Sequence, residues 1–171
     1  MKCINLFGGP CSGKSTTASK LFGKLKEEGY KVEYITEYTK DLVYAKDFFR
    51  LGDQLKVLAE QHHKQWMLLG QVDYLIIDGP FLLSNVYLTE TSILPKKEFT
   101  EMVLKLFESY DNVNYFINRP TSFQEYGRNH DVSESIIIDN KILEVLNDNS
   151  VNFEIVDCEN AYELIYDFIK N

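Results

Sequence analysis

Between the apolar run KCINLF at 2–7 and a segment with helical spacing stands GGPCSGKST, residues 8–16. It satisfies G-x-x-x-x-G-K-[ST] at every fixed position. A strand that ends in such a turn and continues as a helix can wrap its backbone around a phosphate. The glycines let the backbone come close, and the helix N-terminus offers unbonded N–H groups. Nucleotide binding is therefore assigned to Gly8, Gly9, Pro10, Cys11, Ser12, Gly13, Lys14, Ser15 and Thr16. Lys14 would reach the β- and γ-phosphate oxygens and Ser15 would ligate Mg2+, which makes ATP and Mg2+ the expected cofactors.

A phosphate loop of this kind opens a parallel sheet, and the rest of the chain supplies one. The runs at 31–36 (KVEYIT), 73–78 (DYLIID), 113–118 (VNYFIN) and 152–157 (NFEIVD) are short and rich in Ile, Val, Tyr and Phe. They lack sustained alternation, as strands covered on both faces do. Helical spacing fills the gaps: Leu21 and Leu25 in a helix from Gly13 to Glu28, stopped by Gly29; Leu55, Leu58, Ala59, Trp66 and Leu69 within 53–69; and Phe99, Val103, Leu106 and Phe107 within 96–109. Asp131 and Glu134 read as a capping box for a helix carrying Ile138, Ile142, Leu143 and Leu146. A last helix takes Ala161, Leu164, Ile165 and Phe168 as its buried stripe. Strand and helix alternate, so the expected fold is α/β, a five-stranded parallel sheet between helices, with ligands beyond the carboxyl ends of the strands.

At 171 residues the chain is sized for a single domain, 1–171. Eighteen basic against twenty-six acidic residues leave a net charge of −8. Such a surface repels a phosphate backbone, so DNA is disfavoured as a partner unless Lys96, Lys97, Arg119 and Arg128 form a local basic patch. The opening MKCINLFGG holds an apolar run that stops at Gly8, too short for a signal-peptide core or a membrane span. A cytoplasmic protein with no membrane partner is the expectation. Cys3, Cys11 and Cys158 have neither disulfide nor zinc spacing; Cys3 and Cys158 read as packing residues and Cys11 as a loop residue.

The remaining polar candidates cluster after the strands. Asp78 ends IIDGP, where a carboxylate would help hold the Mg2+ shell. Glu37 follows the second strand at the same rim, and either Glu37 or Asp78 could take a proton from an acceptor hydroxyl. Arg50 and Gln54 open the helix at 53–69, and Gln61 lies seven residues further on nearly the same face. Their side chains are suited to the edge of a base or a carboxamide. His62 and His63 lack a third ligand and read as surface or partly packed. The polar stretch at 119–132 is long enough to fold over a bound nucleotide as a lid, with Arg128, after Gly127, placed to neutralise charge on the transferring phosphoryl group.

In order, FGGPCSGKST, TEY, GDQLKVLAEQ, IIDGP and EYGRNHD resemble the small P-loop kinases related to the nicotinamide riboside kinase domain, including stand-alone forms encoded by bacteriophages. The resemblance covers nearly the whole chain and implies a P-loop NTPase fold of the nucleoside/nucleotide-kinase type. It implies transfer of the ATP γ-phosphate to a small acceptor, a nucleoside or nucleotide. It carries nucleotide binding onto Gly13, Lys14, Ser15 and Thr16, a rim carboxylate onto Asp78 and the lid arginine onto Arg128. A kinase acting on hydroxymethylated bases in DNA and a partner-dependent regulatory NTPase are the alternatives. The chain length leaves little room for an AAA-type helical lid domain.

Overall fold

The structure is a computed structural model and describes residues 1–89, 92–119 and 132–170. The chain runs β1 (Lys2–Phe7), α1 (Lys14–Glu27), β2 (Val32–Ile35), α2 (Tyr38–Tyr44), α3 (Phe48–Gly52), α4 (Gln54–Met67), β3 (Tyr74–Asp78), α5 (Leu83–Tyr87), α6 (Lys96–Glu108), β4 (Asp111–Asn118), α7 (Val132–Asp148), β5 (Glu154–Asp157) and α8 (Ala161–Lys170). Five parallel strands form one sheet in the order β2-β3-β1-β4-β5. β1 is thus central. Its neighbours are β3 and β4, so the loop that follows it opens where the connections diverge to either side, the place where such sheets bind ligands.

The strands are apolar on both faces because both faces are covered. Ile4 and Leu6 pack with Ala18, Leu21 and Leu25 of α1 and Ala161 and Ile165 of α8. Phe7 and Phe116 turn to the opposite layer, with Leu58, Phe81, Phe99, Val103, Ile142 and Leu146. One polar device crosses this interior. Asn5 Nδ2 donates to Asn112 Oδ1 at 2.8 Å and to Asn114 Oδ1 at 2.9 Å, joining β1 to β4 inside the sheet layer.

The five expected strands and the longer helices stand within a few residues of their sequence bounds. Two apolar stripes do not. On α4 the buried residues are Gln54, Val57, Leu58, Gln61 and Gln65, whereas Leu55, Trp66 and Leu69 are half exposed. Two of these glutamines face inward onto carbonyls, Gln54 onto Leu51 O and Gln61 onto Gly79 O. On α8, Ala161 and Ile165 are buried while Leu164 and Phe168 are each 47 % exposed; Phe168 meets the sheet only through an edge contact with Tyr115. The short helices α2, α3 and α5 lack the length to show a periodic stripe in the sequence. Asp131 of the expected capping box lies outside the described residues. No described helix is long and apolar enough to cross a membrane.

Candidate functional site

The loop after β1 has the shape its sequence requires. Gly8, Cys11 and Gly13 all take positive φ, at 139°, 73° and 96°. At Gly8 a Cβ would come within 2.5 Å of Ser12 Oγ, so only glycine fits there. Gly13 stands at the N-cap of α1 and no side chain caps the helix, nor is there an acid in its first turn. The first amides of α1 are therefore left for a ligand, with the positive end of the helix dipole behind them.

Lys14 is buried and folds back on the loop: its Nζ donates to Gly8 O at 2.7 Å and to Gly9 O at 3.0 Å. Ser15 Oγ donates to Asp78 Oδ2 at 2.5 Å, and the Tyr34 hydroxyl donates to the same oxygen at 3.2 Å. Burial, with the charge of Asp78, raises the Tyr34 pKa well above its usual value, so the phenol stays a donor. The other Asp78 oxygen, Oδ1, is buried with no hydrogen-bond partner among the described residues. A buried carboxylate oxygen left unpaired beside a serine hydroxyl suits a hard cation with oxygen ligands. The pair fits Mg2+, and no group of three or more metal-binding side chains stands elsewhere among the described residues.

A cavity of about 640 Å³ opens from the loop. It is lined by Gly8, Pro10, Cys11, Ser12, Gly13, Lys14, Ser15 and Thr16 of the loop and also by Glu37, Thr39, Tyr44, Phe48, Gln54 and Tyr87. Glu37 is the N-cap residue of α2, and Thr39 Oγ1 donates to its Oε1 at 2.5 Å. It also sits close to the end of β3, since a Cβ on Gly79 would approach its Cγ to 3.1 Å. Tyr87 is pushed up in pKa by burial first and then by the charges of Glu37 and Asp139. A second space of about 10 Å³, room for one water, continues the wall past Gln54 to Gln61 and Ser84.

The glutamines that the sequence pairs on one face do meet at this wall. Gln54 Nε2 donates to Leu51 O and Gln61 Nε2 to Gly79 O, both at 3.0 Å. A carbonyl partner can be met only by the amide NH2, so these bonds fix both side-chain orientations. Gln54 Oε1, Gln61 Oε1 and Ser84 Oγ are left buried without a partner among the described residues.

Arg50 is not at this site. It is exposed, ion-paired with Asp47 at 3.4 Å, and does not line the cavity. Arg128 and the expected lid over 119–132 lie outside the described residues apart from Arg119 and the backbone of Val132. Arg119 contributes no free charge to a basic patch, because its guanidinium is paired with Asp139. The Gly9 N–H donates to Asp139 Oδ1 at 2.6 Å. Asp139 and Ser84 were not singled out in the sequence, and an acid on an amphipathic helix gives no local sign of what it will face. Burial pushes the thiol of Cys3 up to about 12 and that of Cys158 up to about 11, in keeping with packing roles.

A sequence model of a family described as an AAA domain matches residues 3–163. No curated protein sequence matches the chain. Among solved structures, deoxyadenosine kinase from M. mycoides, with products dCMP and a flexible dCDP bound, superposes with a TM-score of 0.60 at 17 % identity, over 99 % of each chain. NadR protein in complex with NR superposes with a TM-score of 0.66 at 16 % identity, over 98 % of this chain and 50 % of its own, so this chain spans half of that protein. At these identities the likeness is one of fold: a P-loop α/β domain of the nucleoside-kinase type.

Proposed function

The chain belongs to the AAA domain family, and from that premise we propose that it is an ATP-dependent phosphotransferase that moves the γ-phosphate of Mg-ATP to a nucleoside or nucleotide-type acceptor. The observation that carries this reading is one cavity lined both by the phosphate loop and by Glu37, Gln54 and Tyr87. A water-using NTPase needs only the loop. A chain that builds a polar wall a short reach from its phosphate loop has a place for a second substrate. The fold shared with a deoxyadenosine kinase and with NadR in complex with NR supports the same class.

The residues divide the work by position. Lys14 and the amides of α1 would hold the phosphates and stabilise charge on the transferring group. Ser15 and Asp78 would hold Mg2+, which supplies charge neutralisation to the phosphate oxygens when bound. With Asp78 beneath Ser15, Glu37 is the carboxylate left at the cavity wall, and we assign it the acceptor's proton. Gln54, Gln61 and Ser84 would read the acceptor. The two fixed amide oxygens favour a ligand that offers N–H donors, such as an amino-bearing base or a carboxamide. Arg128 and a lid at 119–132 remain part of the proposal for charge neutralisation over the bound nucleotide.

The test is ADP release from Mg-ATP across a panel of nucleosides, deoxynucleotides and nicotinamide riboside, including the amine/oxo pairs adenosine–inosine and cytidine–uridine. Phe48, which lines the cavity mouth, and the adjacent Phe49, 93 % exposed, would also stack on a base of a longer acceptor, so the panel includes a hydroxymethylated-base DNA oligonucleotide. Strong stimulation by one acceptor is expected, with a drop of about 100-fold or more in kcat for Glu37→Gln. A slow rate indifferent to every acceptor would replace the kinase reading with a partner-dependent NTPase.

A further inference from the structure

Asp139 lies on α7, outside any motif, yet it ties the phosphate loop to another part of the domain. Its Oδ1 accepts from the Gly9 N–H at 2.6 Å, and its Oδ2 accepts from Arg119 Nε at 3.0 Å and from Nη2 of the same guanidinium. The Gly9 N–H belongs to the same peptide group as the Gly8 carbonyl, and that carbonyl accepts from Lys14 Nζ at 2.7 Å. One peptide is therefore held from both ends, by an ammonium on its oxygen and a carboxylate on its N–H, with Arg119 closing a line of alternating charge. Hydrogen bonds to ions are roughly twice as strong as neutral ones, and a dipole between two opposite charges reinforces both contacts. The side chains of Arg119 and Asp139 are only 17 % and 16 % exposed, so water screens little of this.

The loop needs such a tether. Three of its residues hold positive φ, one of them the non-glycine Cys11, a shape that a free chain adopts reluctantly. Lys14 must also leave the two loop carbonyls when phosphate oxygens arrive, and the peptide that releases it must stay in place. We propose that Asp139 is a positioning residue for nucleotide binding: by holding the Gly8–Gly9 peptide and Arg119 together, it keeps the phosphate loop preformed and sets the resting place of Lys14. This rests on the nucleotide-binding half of the proposed function and not on the acceptor.

The two carboxylate oxygens have separate duties, which makes the claim testable. Asp139→Ala loses both contacts, while Asp139→Asn keeps an amide oxygen for the Gly9 N–H and loses the charge and the oxygen that accept from Arg119, since an NH2 cannot accept from a guanidinium. Calorimetric binding of Mg-ATP, measured with turnover at saturating nucleotide, should show affinity down about tenfold in Asp139→Ala and no more than about threefold in Asp139→Asn, as expected for loss of one charge-assisted bond. kcat should stay within about twofold in both, so the loss appears in KM. Equal losses in the two variants, unchanged affinity in Asp139→Ala, or a fall in kcat at constant KM would each overturn the proposal. Wild-type chain that binds no nucleotide would overturn it together with the nucleotide reading, whereas tight wild-type binding that is indifferent to Asp139 removes this inference alone. Should Asp139→Ala fail to fold, the wild type still decides. The Gly9 amide proton should resonate far downfield, exchange slowly and shift when Mg-ADP draws Lys14 away from Gly8 O; a fast-exchanging Gly9 amide that ignores nucleotide refutes the tether.

Discussion

The two parts of the cavity wall hold their polar groups differently. Around the phosphate loop Lys14 is bonded to two carbonyls, Ser15 to Asp78 and Gly9 to Asp139, while Asp78 Oδ1, Ser12 Oγ and the first amides of α1 stay open to a charged ligand. Away from the loop, Gln54 at the cavity and Gln61 and Ser84 at the small space beside it each keep a buried polar atom unpaired among the described residues. A buried polar group without a partner costs roughly 1–3 kcal/mol, a cost that is recovered when a ligand supplies the missing bond. On the proposed function, the loop takes the part of the ligand that is common to many proteins and the glutamine wall takes the donors of the acceptor. Binding energy stored in unmet hydrogen bonds gives selectivity, because a ligand lacking the donor leaves the cost in place.

The contrast can be broken most forcefully at its shared edge. Lys14→Ala should cut turnover by about 100- to 1,000-fold, the scale of losing one preorganised charge stabiliser, with thermal unfolding close to wild type. Retained turnover would remove the phosphate loop from the account. Asp78→Asn should come next: turnover should fall by about tenfold to 100-fold at low Mg2+ and recover in part as Mg2+ is raised, because a carboxamide is a weaker ligand for a hard cation. Full activity at low Mg2+ would mean that Asp78 serves Ser15 and Tyr34 alone.

On the acceptor side the effects should be smaller and selective. Gln61→Leu removes both the bond to Gly79 O and the unpaired Oε1. KM for an amine-bearing acceptor should rise about tenfold while KM for ATP stays put, and the preference for the amine over its oxo partner should shrink. A parallel rise in both KM values would show that the residue props the sheet rather than reads a ligand. Arg50→Ala should change neither KM by more than about twofold, since an exposed ion pair contributes little. A large effect would return Arg50 to the site.

The same contrast explains what the sequence could show. The phosphate loop is legible because its chemistry demands fixed residue types at fixed spacing in one contiguous stretch, and Asp78 is legible because it ends a strand beside that stretch. The buried strands read clearly for a related reason: both faces are covered, so nothing interrupts their apolar runs. α4 misleads because its buried face mixes the apolar Val57 and Leu58 with three glutamines. Gln54, Gln61 and Gln65 take positions that a packing argument gives to Leu55, Trp66 and Leu69. Glu37 could be placed at the rim, but that Ser15 bonds Asp78 is seen only in the structure. Asp139 was out of reach altogether, since its partners stand 130 and 20 residues away in the chain.

The most direct test of a cavity with two unlike linings is equilibrium binding of a bisubstrate compound, adenosine joined through a polyphosphate to an amine-bearing nucleoside. The account predicts one molecule per chain, bound at least about tenfold more tightly than ATP, with affinity lowered by Lys14→Ala and by Gln61→Leu alike. Binding no tighter than that of ATP, and unaffected by Gln61→Leu, would contradict it.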